Sequence, residues 1–330
     1  MGGFTMGLDR PSEATGVMVS ESSTMEEGTE PTMDLLAEST APTLSVVVPA
    51  FDEEDTIAAC LERLTAQADC IAEIVVVDNN STDRTVEIVR DLARRHPTIR
   101  LIHEVEQGLV HARNAGMDAA TGDLIARIDS DTMVGDDWSR TIVDFFTADL
   151  DQKWSALCGR GEAYDVPMSG RFDKWKIKLH PLGDRGPSDE VKEIPVLYGS
   201  NMVVRREVWN RIRTRVSMRR DIFEDVDMGL CILDDGGRNA FLASLTVGVS
   251  PRRMQSSLPE FVQYMSFLPR TFALHRRFSY TAGTALIYVP ALTVLHTGRL
   301  LMLRLYDSET GQLDPRRLLQ RTSTPTRALP

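Results

Sequence analysis

The sequence predicts an α/β fold in which a mostly parallel sheet carries helices on both faces. Two observations predict it. Short β-branched runs alternate with segments of helical periodicity through short links, which is the pattern of consecutive βαβ units. Those runs also end in acidic or amide-rich loops, and in open parallel sheets ligands bind just outside the carboxyl ends of the strands.

The elements follow in order. Thr43 to Pro49 (TLSVVVP) reads as the first strand. A helix with Ile57, Leu61 and Leu64 at helical spacing follows, with Asp55 and Thr56 as candidate caps. Glu73 to Asp78 (EIVVVD) is the second strand, and the turn from Asn79 to Asp83 leads into a helix with Val86, Val89 and Leu92 on its apolar face. Ile99 to His103 is the third strand, followed by a helix through Leu109, Ala112, Ala115 and Ala119. Leu124 to Asp129 is the fourth. It ends in Asp129-Ser130-Asp131, two carboxylates one residue apart, a pattern that suits a hard cation and equally suits an Asx-type turn. The periodicity becomes irregular between Asp151 and Val196, with the basic run Lys174 to Lys178 and a turn-like Gly183 to Ser188. Regular signals resume at Leu197 to Arg206, and the acidic cluster Glu224-Asp225-Val226-Asp227 opens a helix. Acids at a helix start also have the simpler role of offsetting the helix dipole.

Charge is unevenly distributed over the 330 residues, whose formal net charge is -11. That balance argues against nucleic acid as a partner, because phosphate neutralisation needs a basic face. The first forty residues hold eight acids against the single base Arg10, without periodicity, so residues 1-42 read as a disordered acidic tail. Residues 43-250 form the α/β domain, 251-315 a helical segment, and 316-330 a flexible tail. Cys60, Cys70, Cys158 and Cys231 are too widely spaced to suggest a zinc site or a disulfide framework. With no basic, apolar leader at the N-terminus, a cytoplasmic setting is expected.

Phe278 to Tyr306 is apolar, with Arg276 and Arg277 before it and Arg299 and Arg304 within it. Pro290 and His296 interrupt a stretch already near the lower limit for crossing a bilayer. Two readings stay open: an interfacial helix on anionic lipid at the inner face of the cell membrane, or a helical pair packed on the α/β domain or a second subunit.

Five segments together resemble, in order and spacing, the family 2 glycosyltransferases of GT-A fold: SVVVPAFDEEDTI (Ser45 to Ile57), VVDNNSTDRT (Val76 to Thr85), QGLVHARNAGMDAATGDLIARIDSDT (Gln107 to Thr132), YGSNMVVRREVW (Tyr198 to Trp209) and FEDVDMGLCI (Phe223 to Ile232). The resemblance implies a Rossmann-like mixed sheet and transfer of one sugar, with inversion, from a nucleotide diphosphate sugar to a hydroxyl acceptor, such as a lipid-linked or cell-envelope glycan precursor. It implies a Mn²⁺ or Mg²⁺ ion on Asp131, with Asp129 serving the ion or the ribose and Ser130 between them. Pro49, Phe51, Glu53 and Asp78 would bind the base, and a carboxylate at Asp78 can accept the imide N-H of uracil, which points to a UDP-sugar. Asp52 stands where many relatives carry Asn. Arg113 resembles the contact to the diphosphate or base. Asp225 matches the catalytic base, with Glu224 aiding the acceptor or tuning Asp225, and Asp227 reads as a helix-start residue. Tyr198, Gly199, Ser200 and Asn201 would lie against donor sugar and acceptor. The Gln-x-x-Arg-Trp signature of processive synthases is absent. His275 and His296 fall outside the matching region and read as surface or interfacial histidines. Two other classes compete: a non-catalytic nucleotide-sugar binder, and a sugar nucleotidyltransferase. The second needs a basic, Gly-rich phosphate loop where this chain has the acidic Phe51 to Asp55.

Overall fold

The computed structural model describes residues 41–164, 190–250 and 257–305. The N-terminal tail up to residue 40, the Lys174 to Lys178 run, the Gly183 to Ser188 turn and the 316–330 tail lie outside the described residues.

A nine-stranded sheet runs through the molecule in the order β3-β2-β1-β4-β8-β6-β9-β5, with β7 also on β9. Its first half is parallel: β3 (Ile99–His103), β2 (Ile71–Asp78), β1 (Leu44–Ala50) and β4 (Leu124–Arg127). The second half departs from the parallel pattern. β8 (Met202–Arg205) is antiparallel to β4 and to β6 (Ala156–Ala163), and β9 (Asn239–Val249) is parallel to β6. The short β5 (Met133–Val134) and β7 (Val191–Ile194) lie antiparallel on β9. The chain builds outward from β1 to β3 and then returns to place β4 on the other side of β1. That reversal opens a crevice at the carboxyl ends of β1 and β4, where open α/β sheets bind ligands.

Both faces of the sheet are covered. Val46, Val48 and Ala126 pack on one face with α1 (Ile57–Thr65), α2 (Thr85–Arg95) and α4 (Trp138–Ala148) through Ile57, Leu61, Val89, Leu92, Trp138 and Ile142. Val47, Val75, Val77 and Ile125 face the other way, towards α3 (Leu109–Ala119), α5 (Arg206–Ile212) and α6 (Glu224–Asp234). Alternate residues of β1 therefore serve two cores, which explains why these strands are apolar runs instead of alternating patterns. Each such Val or Leu, removed from water, contributes about 1.5–3 kcal/mol. Thr56 occupies the N-cap position of α1 without capping it, because its hydroxyl donates to the Glu53 carboxylate at 2.7 Å.

After β9 come α7 (Leu258–Met265), α8 (Phe267–Leu274), α9 (Phe278–Gly283), a π-helical turn (Thr284–Tyr288) and α10 (Val289–Leu305). The π turn ends two residues before Pro290, whose ring removes a helical N-H, and the helix continues through a residue that could have broken it. Helix α7 opens with a reciprocal capping box between Ser257 and Glu260.

His275, at the end of α8, is the tie between these helices and the sheet domain. Its Nε2 lies 2.8 Å from Asp227 Oδ1 and its Nδ1 3.0 Å from Asp234 Oδ2, both on α6. These bonds, that to Asp227 first, with Cys231 contributing, raise its pKa from 6.5 to about 10 against the opposing effect of burial. A raised folded-state pKa adds stability that is fully present below the unfolded value and is lost as pH climbs through the folded one. The melting-temperature gap between the protein and its His275→Gln variant is thus expected to be largest near pH 6 and to close as pH rises through about 10. A gap that widened with pH in thermal unfolding would show that the imidazolium is not the stabilising form.

Candidate active site

Three loops meet at the carboxyl rim of β1, β2 and β4. The first is locked to the second by Asp52. This residue has φ of 53°, a left-handed conformation that Asp and Asn tolerate better than most residues. Its Oδ1 accepts the N-H of Thr82 at 2.7 Å and of Asp83 at 3.3 Å. Asp52 therefore contacts the neighbouring loop's backbone, the role either Asp or Asn can fill. Pro49 is buried within β1 where β4 no longer pairs, a place a residue without an N-H can occupy. Phe51 is 40% exposed beyond the strand end. The Glu53 N-H donates to Thr85 Oγ1 at 2.8 Å.

Asp78 ends β2 almost fully buried. Its Oδ1 accepts the Ser81 N-H at 3.2 Å, and its Oδ2 faces His103 Nδ1 at 3.1 Å. Asn79, also buried, donates through Nδ2 to the carbonyls of Glu104 and Glu106 and accepts the Gly108 N-H, which fixes the loop leading to α3.

At the end of β4, the Asp129 carbonyl accepts the Thr132 N-H at 3.0 Å in a tight turn, Ser130 is buried, and the Asp131 carbonyl accepts the Tyr164 hydroxyl at 3.0 Å. The turn and the acid pair thus coexist. Burial, and then the charges of Asp131, Asp129 and Glu53, push the nearby Cys60 thiol upward. These carboxylates offer only oxygen donors, the set that suits Mg²⁺ or Mn²⁺ over zinc.

Arg113 connects this cluster to the far side of the crevice. It lies in the second turn of α3, 3% exposed, with Nη2 2.6 Å from Asp129 Oδ1 and Nη1 against Glu224 Oε1. Arg127, the last residue of β4 and 1% exposed, places Nη2 3.6 Å from the same Glu224 oxygen. Burial, then the Arg113 charge, disfavours the charged form of Arg127, and Asp225 and Asp129 oppose that effect. Its Nη1 is buried without a hydrogen-bond partner, which costs on the order of 1–3 kcal/mol. Sequence reasoning missed Arg127, although a lone cation inside the apolar LIARI run was a visible signal.

Asp225, in the first turn of α6, accepts the Gly199 N-H on Oδ2 at 2.8 Å and its neighbour Val226 N-H on Oδ1 at 2.9 Å. A Cβ at Gly199 would lie 2.6 Å from Arg127 Nη2 and 3.2 Å from Asp225 Oδ2, so any larger residue would displace the Arg127 guanidinium. Of the neighbouring motif residues, Asn201 is fully buried and joins separate elements: its Oδ1 accepts from Trp138 Nε1, and its Nδ2 donates to the carbonyls of Leu245 and Arg160. Asp227 lies in the first turn but does not cap it. Its Oδ2 accepts the Ser217 N-H at 2.7 Å, and its Oδ1 meets His275. Cys231 also joins this group, its ligand atom and those of Asp227 and His275 lying within 4.8 Å of one another, a meeting that their separation in sequence conceals.

The family model for glycosyl transferase family 2 matches residues 45–213. The uncharacterized glycosyltransferase YibD of Escherichia coli is 37% identical over 91 residues, 28% of this chain and 26% of that protein. The uncharacterized glycosyltransferase EpsJ of Bacillus subtilis is 34% identical over 120 residues, 36% of this chain and 34% of that protein. These matches span about a quarter to a third of the relatives' length. The mannosyltransferase PcManGT from Pyrobaculum calidifontis, solved with GDP-Man and Mn2+, superposes with a TM-score of 0.58 over 80% of this chain and 81% of that one, at 21% identity, a likeness of fold. With the model covering just over half of the 330 residues and the sheet arranged as in GT-A proteins, the chain belongs to glycosyl transferase family 2.

Proposed function

We propose that the protein transfers a single sugar, with inversion, from a nucleoside diphosphate sugar to a hydroxyl acceptor. The observation that carries this reading is Arg113, whose one guanidinium touches Asp129 on the strand side and Glu224 on the helix side. It fixes two acidic groups across one crevice, as a reaction with a leaving group on one side and an entering hydroxyl on the other requires. PcManGT was solved with a nucleotide sugar and Mn2+, which is in keeping with the oxygen donors here. Asp131 and Asp129 would hold a divalent cation, which would stabilise the charge gathering on the leaving diphosphate as a Lewis acid. Phe51, Glu53 and Asp78 line the base side of the same rim, and the Asp78 carboxylate favours uracil among the bases.

Asp225 is the base in this reading. The backbone N-H groups of Gly199 and Val226 hold its carboxylate in place. It takes the acceptor's hydroxyl proton as that oxygen bonds to the anomeric carbon and the bond to the diphosphate oxygen breaks. Glu224 pairs with two guanidiniums and keeps them beside the crevice.

The acceptor we propose is lipid-linked, and the C-terminal helices are the reason. Phe278–Met302 is long and apolar enough to cross a membrane. One side of it packs on the protein, with His296 buried and stacked on Phe261 at 4.0 Å and Tyr280 stacked on Phe272 at 5.3 Å. The other side is bare: Leu286, Ile287 and Val294 are 76%, 72% and 71% exposed. No acid occurs between Glu260 and Asp307, while Arg276, Arg277 and Arg299 border the apolar face. An apolar face rimmed by cations suits the surface of an anionic membrane. Both alternatives left open by the sequence thus share one element, the bare side suiting the first and the packed side the second.

Four outcomes are expected. In thermal-shift assays with UDP-, GDP- and dTDP-sugars and Mn²⁺, a UDP-sugar stabilises the protein, by about 2.7 kcal/mol at a hundred times its Kd. Asp131→Ala removes the metal-dependent part of that shift, and calorimetry showing unchanged Mn²⁺ and UDP affinity would exclude Asp131 as a ligand. Asp225→Asn leaves donor binding intact and lowers transfer roughly 100- to 10,000-fold; full turnover would place the base elsewhere. The protein sediments with phosphatidylglycerol vesicles and much less with phosphatidylcholine, and Ile287→Asp with Val294→Asp releases it. A soluble dimer that ignores both vesicles would mean that a second copy covers the helix.

A further inference from the structure

Helix α6 carries the acid pair but does not hold its own start. Its N-cap residue is Phe223, whose side chain cannot cap, and no side-chain cap bond is made. The first turn of a helix has no intrahelical partners for its N-H groups and frays unless something ties it down. On the crevice side Arg113 and Gly199 hold Glu224 and Asp225; on the other side the ties come from the C-terminal helices, beyond the 45–213 region of the family match.

Thr271 on α8 is fully buried, and its Oγ1 accepts the Phe223 N-H at 2.9 Å while donating to the Phe267 carbonyl at 2.8 Å. The Phe223 ring lies edge-on to Tyr264 at 4.6 Å and to Phe267 at 6.1 Å. One turn on, His275 grips Asp227, two residues from Asp225, and also reaches Asp234 at the far end of α6. Arg277 bonds the other oxygen of Asp234 at 2.7 Å. Between these polar contacts, Phe272 packs with Val226 and Leu230. Residues 264–277 therefore form a strap along α6, bonded at the residue before the acid pair, in the first turn and in the last.

We propose that Thr271 and His275 are positioning residues for Asp225, so that the C-terminal strap is an obligatory part of the catalytic unit. The inference rests on the reading of Asp225 as the base. The mechanism is geometric. The Asp225 carboxylate is aimed by the Gly199 and Val226 N-H groups, and Gly199 belongs to the loop before β8 while Val226 moves with α6. A shift of the helix start by a fraction of an ångström pulls one donor from the other, and displacements near 1 Å in a reacting group cost on the order of a hundredfold in rate. The donor rim is built on separate elements, β1, β2 and β4, and meets α6 through the Arg113 guanidinium.

The Asp227, Cys231 and His275 trio could also be taken for a metal site. Both ring nitrogens of His275 already face carboxylates, and both oxygens of Asp227 are engaged. These contacts make the trio an ion-paired clip.

The test uses the full chain and reads UDP released with Mn²⁺ from the UDP-sugar that gives the largest thermal shift, with water as the acceptor. Thr271→Val keeps the shape and removes the hydroxyl, Thr271→Ser keeps the hydroxyl, and His275→Phe removes the clip. The expected result is a tenfold or greater fall in kcat for Thr271→Val and His275→Phe, with the KM for the donor unchanged within twofold. Thr271→Ser should restore most of kcat, and circular dichroism should report folded protein throughout. Added to Asp225→Asn, His275→Phe should cause no further loss, because there is then no base left to position. An unchanged kcat in folded His275→Phe, or the same fold-loss in the Asp225→Asn background, overturns the proposal. So does stoichiometric zinc in the purified protein that Cys231→Ala removes. Should His275→Phe fail to fold, the Thr271→Val and Thr271→Ser comparison decides alone. Full turnover by Asp225→Asn itself would instead refute the reading of the base, which keeps the two failures apart.

Discussion

The geometry of the crevice depends on how carboxylates can be concentrated at the edge of a hydrophobic sheet. Asp129, Asp131 and Glu53 come from two loops, Glu224 and Asp225 from a helix, and together they would repel one another and draw in water. Arg113 prevents that by pairing with Asp129 and Glu224 while 3% exposed. A buried pair broken by removal of one partner costs several kcal/mol, because the other charge is stranded in low dielectric. The position of α3 is therefore coupled to that of α6. Arg127 adds a second guanidinium to Glu224 from the end of β4, and Gly199 gives it room.

That arrangement explains why the two halves of the sheet differ in kind. The parallel half supplies three strand ends and hence three loops on one rim, where the proposed reading puts the nucleotide. In that reading a carboxylate on the acceptor side has to come from the opposite wall. The chain achieves this by turning β8 antiparallel to β4 and sending α6 back across the crevice. Asn201, buried between β8, α4 and β9, pins the corner where the direction changes.

Much of the first half was legible in the sequence because its signals are local. A run such as Ile74 to Asp78 shows both its burial and its end, and the acidic rim follows once parallel topology is granted. The antiparallel pairings of β8 were not legible, since Met202 to Arg205 carries no mark of direction. Asp52 shows a different limit. In the sequence it is only a departure from the Asn of many relatives, and the structure uses it at positive φ to join two loops. Asp227 and His275 are 48 residues apart, and one of them read as a helix-start acid, the other as an interfacial histidine. The histidine is interfacial in the structure. Its partner could not be named, because a pairing across that separation is decided by tertiary packing.

His275 also lies at a junction of two environments. Immediately before it, α8 is packed on α6; immediately after it come Arg276, which adopts a φ of 56°, Arg277, and then the bare apolar helix from Phe278. Arg277 pairs with Asp234 of α6, so the cationic border of the apolar face is bonded to the helix that presents Asp225. A force that reoriented α9 and α10 would act on α6 through Arg277 and His275 within three residues, before any loop could absorb it. In the proposed reading, the surface that meets lipid and the carboxylate that meets the acceptor are then mechanically one piece, an arrangement that suits an acceptor held at that same surface.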